Sequence, residues 1–91
     1  MSKKTYDSAL VIGMGLIGSS IARALRDKKI SKKIFALDKS ANVISTTKEL
    51  KLVDTIHDDL NKYSQQFDII FICTPLSSYK IIFNQLNNHI N

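Results

Sequence analysis

Short apolar runs alternate along this chain with segments in which apolar residues recur every three or four positions. A continuous apolar run is typical of a strand buried on both faces, and the wider spacing is typical of a helix with one buried face. The runs predict four strands, over residues 8–12, 33–37, 55–57 and 68–73. The wider spacing predicts three helices, over residues 16–28, 41–50 and 76–89. Residues 58–66 are predicted to form a polar connection.

The same spacing predicts which residues of each helix face the sheet. In the first helix these are Ile17, Ile21, Ala22 and Leu25. In the second helix they are Val43, Ile44, Thr47 and Leu50. In the third helix they are Tyr79, Ile82, Phe83, Leu86 and Ile90.

The alternation of strands and helices predicts an α/β fold. Strands joined through helices run parallel with right-handed crossovers, which predicts a Rossmann-type sheet in the order 3-2-1-4 with helices on both faces. A complete sheet of this type has six strands and needs more chain than the 91 residues present. We therefore expect a partial sheet of about four strands. Ligands bind such sheets beyond the carboxyl ends of the strands, where the strand order reverses, here between the first and fourth strands.

All three glycines of the chain lie in one turn, between the first predicted strand and the first predicted helix. Their spacing, Gly-x-Gly-x-x-Gly in this context, is the dinucleotide-binding fingerprint. Gly13 permits the tight turn, Gly15 lets a pyrophosphate approach the backbone, and Gly18 lets the helix pack closely on the strand. Backbone N–H groups at the start of the helix then face an anion. The predicted pyrophosphate site is the loop Gly13, Met14, Gly15, Leu16, Ile17 and Gly18.

Asp38 follows the last glycine by twenty residues, at the end of the second predicted strand. A carboxylate at this position accepts hydrogen bonds from ribose hydroxyls and repels a 2′-phosphate, which favours NAD over NADP. Lys39 and Ser40 are a cation and a hydroxyl that can accommodate part of a phosphate, so NADP is less favoured but stays open. Ser40 is also a good N-cap for the second helix. We assign Asp38, Lys39 and Ser40 to the cofactor site.

The end of the fourth predicted strand is expected to border the same crevice. Pro75 ends this strand because proline cannot donate to a central ladder. Cys73, Thr74, Pro75 and Leu76 are therefore predicted to line the crevice of the cofactor site. Residues 74–76 are either a plain strand terminator or a support beside the nicotinamide half of the cofactor, and both roles can hold together. Cys73 follows four apolar residues and is more typical of a buried small residue than of a reactive thiol.

The sequence shows no catalytic constellation and no metal-ligand motif. His57 and His89 have no Ser, Cys or carboxylate partner set by a motif. Asp58 and Asp59 lie in a polar connection and are typical of a solvated loop. A single cysteine excludes an internal disulfide, and no Cys-x-x-Cys is present. We therefore predict no catalytic and no metal-binding residue in this chain.

The formal net charge of +5 raises the question of nucleic-acid binding. The basic residues are scattered pairs without interleaved aromatic residues, which favours solvated surface over a nucleic-acid partner. The stretch after Lys3 and Lys4 imitates a secretory signal, but Asp7 and the three glycines interrupt it. No segment has the length of a membrane span. We expect a cytoplasmic protein with neither a nucleic-acid nor a membrane partner.

Three segments carry a resemblance to a known family: VIGMGLIGSS at residues 11–20, IFALD at 34–38 and DIIFICTP at 68–75. Together they resemble the N-terminal, NAD-binding part of prephenate/arogenate dehydrogenases. LKLVD at residues 50–54 is similar to that family's Leu-Gly-hydrophobic-hydrophobic-Asp stretch. Lys51 stands where the family has glycine, which bears on how the second helix ends. The resemblance covers residues 9–90.

The resemblance implies an enzyme that oxidatively decarboxylates prephenate or arogenate in tyrosine biosynthesis and passes hydride to NAD. In the family the catalytic histidine follows the fifth and later strands, and a helical dimerisation domain contributes substrate contacts, which implies a homodimer. Both features would lie beyond Asn91. We accordingly expect residues 1–7 to be a flexible lead and residues 8–91 to be a partial dinucleotide-binding domain, truncated before the fifth strand and the substrate domain. By itself this chain is expected to be inactive.

Two other functions fit the same residues. Another NAD(P)-dependent hydroxy-acid dehydrogenase or an imine reductase would share the first two segments. A stand-alone NAD-binding or regulatory module is favoured by the absence of a catalytic residue. Termination before a fifth strand counts against that module.

Overall fold

The structure is a computed structural model, and it describes residues 5–74. Its strands and helices, in chain order, are β1 (Tyr6–Ile12), α1 (Leu16–Asp27), β2 (Ser31–Leu37), α2 (Ala41–Leu50), β3 (Thr55–His57), a short 3-10 helix (Leu60–Lys62) and β4 (Ile69–Ile72). The third predicted helix, over 76–89, lies outside the described residues. No helix within residues 5–74 is long and apolar enough to cross a membrane.

Within residues 5–74 the four strands form one parallel sheet in the order β3-β2-β1-β4, which confirms the predicted order. β1 lies between β2 and β4, with Ala9 opposite Ile34 on one side and Ile69 on the other. Where a strand has a neighbour on each side and packed layers on both faces, its side chains are shielded from solvent on both faces. Leu10 and Val11 are accordingly fully buried.

Two strands begin earlier than the apolar runs predict. β1 begins at Tyr6 and β2 begins at Ser31, and these two residues pair in the ladder. Tyr6 and Asp7 thus belong to β1, and placing them in a flexible lead was wrong. The backbone N–H of Asp7 also donates to Asp68 Oδ2 at 2.9 Å. An apolar run marks only the buried part of a strand, whereas the ladder continues through polar residues.

Alternate residues of β1 contribute to two separate cores. On the face covered by the helices, Ala9 and Val11 pack with Ala22 and Leu25 of α1. On the other face Leu10 and Ile12 pack with three side chains from the segment after β3: Leu60, Tyr63 and Phe67. The prediction of a polar connection over 58–66 was therefore wrong for Leu60 and Tyr63, which are buried against this face of the sheet.

The inward faces of both helices are shorter than predicted. Ile17 is 67% exposed and Leu50 is 54% exposed, so their assignment to the buried faces was wrong. The buried positions of α1 are Gly18, Ala22 and Leu25. Ile17 lies in the first turn of α1 and Leu50 in the last turn of α2. The apolar spacing continues there, but no other described segment covers these side chains. In α2 only Thr47 is fully buried.

Lys51 ends α2 in the left-handed conformation, with φ 54° and ψ 42°. The N–H of the following residue, Leu52, donates to the Thr47 carbonyl and completes the helix end. Glycine adopts this conformation at the least cost, which is consistent with the glycine expected there from the family resemblance. The guanidinium of Arg26 donates to the Lys51 carbonyl and joins the end of α2 to α1.

Candidate functional site

The turn between β1 and α1 begins at Gly13, which has φ +91°. Side chains rarely adopt this conformation, so the predicted need for glycine at the turn is confirmed. A Cβ at Gly13 would also lie 3.1 Å from Cγ2 of Thr74 and 3.2 Å from the carbonyl carbon of Cys73. The end of β4 thus lies directly against the turn, as the topology predicts.

Gly18 and Gly15 differ in what surrounds them. A Cβ at Gly18 would lie 1.8 Å from the Gly13 carbonyl oxygen, so the first turn of α1 is pressed against the loop that precedes it. Val11 of the strand is farther away, with Cγ1 at 3.5 Å. A Cβ at Gly15 would meet no atom within 4 Å. Gly15 therefore faces open space, on a loop whose other glycines are enclosed.

The carboxylate of Asp38 is joined to the glycine-rich turn. Its Oδ2 accepts the N–H of Met14 at 2.8 Å, and its Oδ1 accepts the N–H of Ser40 at 2.9 Å. The N–H of Asp38 itself donates to the His57 carbonyl at the end of β3. A carboxylate oxygen has two acceptor sites, so each oxygen of Asp38 keeps one for a ligand hydroxyl.

Met14 is held from its other side by Ser19. The Ser19 hydroxyl donates to the Met14 carbonyl at 3.1 Å, and the Met14 side chain is buried among the core residues under α1. Sequence reasoning missed Ser19 as a residue of the site. The available signal was a hydroxyl in the first turn of α1, close enough along the chain to reach back to the loop.

The last two described residues lie beside the same turn. The N–H of Cys73 donates to the Ile12 carbonyl at 2.8 Å, which continues the pairing of β4 with β1 to the edge of the sheet. Burial raises the pKa of the Cys73 thiol, which favours the protonated form. Oγ1 of Thr74 is buried and has no hydrogen-bond partner within residues 5–74. Pro75 and Leu76 lie outside the described residues.

Backbone donors remain at the start of α1. Within residues 5–74, the N–H groups of Gly15, Leu16 and Ile17 have no hydrogen-bond acceptor. The side chain of Leu16 is 88% exposed. Such N–H groups and the positive end of the helix dipole attract anions. In contrast, α2 begins with a closed cap, because the Ser40 hydroxyl accepts the N–H of Val43.

Comparison with known families gives an observation that does not depend on the glycines. Residues 21–91 match the family model described as prephenate dehydrogenase, nucleotide-binding domain. This chain belongs to that family. The match begins after Gly18, so the family assignment and the glycine-rich turn are separate observations. The family predicted from the resemblance is thereby confirmed.

Among curated proteins, this prephenate dehydrogenase-family chain is similar to a cyclohexadienyl dehydrogenase from Zymomonas mobilis. The two are 33% identical over 72 residues, which are 79% of this chain and 25% of the relative. The chain therefore spans a quarter of the length of this curated relative.

Solved structures show the same fold. A prephenate dehydrogenase from A. aeolicus, solved in complex with hydroxyphenyl propionate and NAD+, matches with a TM-score of 0.87 at 22% identity, over 99% of this chain and 32% of that one. An apo scyllo-inositol dehydrogenase from Lactobacillus casei matches with a TM-score of 0.76 at 20% identity, over 100% of this chain and 28% of that one. At these identities the likeness shows the fold, and it confirms the predicted Rossmann-type α/β class.

Two other groups of titratable side chains in this family member have structural partners. The ring of His57 packs edge-on against Tyr63 at 4.8 Å, and the Tyr63 hydroxyl donates to the Ala36 carbonyl at 2.6 Å. Burial raises the pKa of Tyr63 to about 12. The Lys62 ammonium lies 2.6 Å from Oδ1 of Asp58 and lowers the pKa of that carboxyl. The Tyr63 contacts hold the β3–β4 connection to the sheet, whereas the Lys62–Asp58 pair lies within the connection.

Proposed function

We propose that this chain is the cofactor-binding half of an NAD-dependent prephenate or arogenate dehydrogenase, an enzyme of tyrosine biosynthesis working in the cytoplasm. The observation that carries the proposal is the hydrogen bond from the Met14 N–H to the Asp38 carboxylate. This bond places an acidic acceptor beside the glycine-rich turn, at one edge of the sheet. Family membership supports the reaction class. The NAD+ bound to the A. aeolicus enzyme supports the choice of cofactor.

In this proposal the dinucleotide pyrophosphate binds the turn from Gly13 to Gly18. The N–H groups of Gly15, Leu16 and Ile17 donate to it, and the open space at Gly15 admits it to the backbone. The residues present fit this group, because the approach is open and the donors have no other acceptor within residues 5–74. NAD, when bound, accepts a hydride from the substrate ring.

Asp38 is proposed to accept the ribose hydroxyls with its two remaining acceptor sites. Its negative charge, next to the ribose, disfavours a 2′-phosphate and makes NAD the preferred cofactor. Lys39 and Ser40 border this position. Asp38→Arg exchanges the charge, so we expect it to lower the ratio of NAD to NADP affinity by about tenfold or more. An unchanged ratio would remove Asp38 from this role.

The end of β4 is proposed to support the nicotinamide half of the cofactor. Cys73 and Thr74 lie against Gly13, and the buried Oγ1 of Thr74 is a polar atom without a partner in residues 5–74. A buried hydroxyl is stabilised when it gains a hydrogen-bond partner, so a ligand group there would be favoured. Pro75 and Leu76 complete this part of the proposed site.

The substrate and the oligomeric state belong to the whole enzyme. We propose prephenate or arogenate as substrate, in line with the names of the dehydrogenase relatives. A homodimer is proposed as the assembly from the family resemblance alone. Residues 5–74 supply cofactor contacts and no catalytic group in this scheme. The 91-residue chain is therefore expected to bind NAD without turning over prephenate.

The proposal is tested by titrating the isotope-labelled chain with NAD and following its backbone amide signals. Binding as proposed shifts the signals of residues 13–19 and 38–40 and leaves residues 58–67, on the other face, unchanged. NADP, titrated in parallel, should produce the same shifts only at higher concentration. A folded chain whose amide signals stay unchanged up to millimolar NAD would contradict the proposal.

A further inference from the structure

The two peptide groups that flank Met14 are each fixed by contacts within the protein. The first group, between Gly13 and Met14, donates its N–H to Asp38, and its carbonyl oxygen lies against Gly18. The second group, between Met14 and Gly15, has its carbonyl bound by the Ser19 hydroxyl. Both orientations are therefore set by the protein without any ligand.

The second peptide group determines where the N–H of Gly15 points. A trans peptide is planar, and its N–H points opposite to its C=O. Because Ser19 draws the Met14 carbonyl toward α1, the N–H of Gly15 points away from Ser19. Gly15 is also the glycine of this turn with open space at its Cα. The Ser19 hydrogen bond thus directs a backbone donor away from α1, at the glycine that the dinucleotide would approach.

We propose that Ser19 is a positioning residue of the dinucleotide site, which acts by holding the Met14–Gly15 peptide so that the Gly15 N–H meets the pyrophosphate. This inference rests on the proposed NAD-binding function. Ser19 does not itself contact the dinucleotide in this scheme. Asp38 and Ser19 both bind the backbone of Met14. In this scheme the residue that binds the ribose, Asp38, and the residue that orients the pyrophosphate donor, Ser19, therefore hold the same loop.

Ser20 is a matched control one residue farther along. Its hydroxyl donates to the Leu16 carbonyl at 3.1 Å, the same distance as in the Ser19 bond. The Leu16 carbonyl belongs to α1 itself, so the Ser20 bond lies within the helix and holds no part of the loop before it. Replacing either serine with alanine changes helix propensity equally. The two variants therefore differ mainly in whether the Met14 carbonyl loses its partner.

The test measures NAD and adenosine affinities of the wild-type chain, Ser19→Ala and Ser20→Ala by amide titration. Loss of one neutral hydrogen bond that orients a donor predicts a roughly three- to tenfold weaker NAD affinity for Ser19→Ala. Adenosine lacks the pyrophosphate, so its affinity should stay within about twofold. Ser20→Ala should bind both ligands as the wild type does. Ser19→Thr keeps a hydroxyl and should recover NAD binding.

Four outcomes would count against the inference, and they are distinguishable. A wild-type chain that binds no NAD would overturn the proposed function and the positioning role together. Equal NAD affinities of wild type and Ser19→Ala would overturn the positioning role alone. Equal weakening of NAD and adenosine by Ser19→Ala would show a general loss of structure. The Gly15 amide signal of ligand-free Ser19→Ala should also move, and its constancy would count against the stated mechanism.

Discussion

The turn between β1 and α1 lies at one edge of the sheet, with Met14 packed on the side that α1 covers, whereas the connection between β3 and β4 packs on the other face. In the turn, backbone packs against backbone, and Gly18 lies against the Gly13 carbonyl because neither residue has a side chain. In the connection, the side chains of Tyr63 and Phe67 pack against the sheet and against each other, with ring centroids 5.4 Å apart. The turn therefore cannot accept an added atom at Gly13 or Gly18, and the connection cannot lose one without a cost in stability.

The largest expected effect comes from adding a methyl group at Gly18. A Cβ there would overlap the Gly13 carbonyl at 1.8 Å, and the obstacle is backbone that cannot rotate away. We expect Gly18→Ala to lower the free energy of unfolding by about 4 kcal/mol or more. A domain this small is marginally stable, so most of the variant would be unfolded. Circular dichroism during urea titration measures the loss.

Gly15→Ala is the matched control in the same turn. The added Cβ meets no atom within 4 Å, so the free energy of unfolding should fall by less than about 1 kcal/mol. NAD affinity should nevertheless fall by about tenfold or more, because the methyl group stands where the pyrophosphate is proposed to approach. If both glycine variants lost the same stability, the distinction between an enclosed and an open glycine would be wrong.

Removing one atom from the connection should have a smaller effect. Tyr63→Phe deletes the hydroxyl that donates to the Ala36 carbonyl at 2.6 Å and leaves the ring contacts in place. We expect a loss of about 1 kcal/mol in the free energy of unfolding at pH 7. The variant should keep wild-type NAD affinity, since Tyr63 lies on the face opposite the turn. Reduced affinity would mean that the two faces are coupled.

The same hydroxyl predicts a pH dependence. Burial raises the pKa of Tyr63 in the folded chain to about 12, above the 10.0 of an exposed tyrosine. As pH rises from 10 toward 12, the unfolded chain loses this proton while the folded chain keeps it, so stability falls. The contribution of the raised Tyr63 pKa to the free energy of unfolding is complete below pH 10. The difference in urea midpoint between wild type and Tyr63→Phe should therefore shrink through this range, and a constant difference would contradict the assignment.

The smallest effect concerns a left-handed residue outside the turn. Lys51 has φ 54°, so it shares the sign of φ with Gly13, but it carries a side chain. Lys51→Gly removes the strain of that conformation and should raise the free energy of unfolding by about 0.5–1 kcal/mol. Lys48→Gly, within α2, should lower it by about 1 kcal/mol. Thermal unfolding of both variants tests whether φ alone explains the glycine expected at position 51.

The sequence pattern predicted the structure best at positions where a single backbone requirement dictates the residue type. A turn with φ +91° and a close approach at Gly18 both require glycine, so the glycine spacing predicted the turn correctly. The bounds of α2 and β3 agree with the prediction as well. The segment over 58–66 was misjudged because its two buried apolar residues, Leu60 and Tyr63, stand among polar neighbours. Leu60 and Tyr63 are buried because they pack against a face of the sheet, and the local sequence pattern does not indicate this contact.

By itself, the sequence determined the strand order, the turn at Gly13 and the position of Asp38 at the end of β2. These follow from local periodicity and from backbone conformations that few residues can adopt. Only the tertiary structure decided that Asp38 holds Met14, 24 positions away, and that Ile17 is exposed. It also decided that Tyr63 reaches Ala36, 27 positions away. Such contacts depend on how far each layer extends over the sheet, and this distance is set by packing between segments that are remote in the chain.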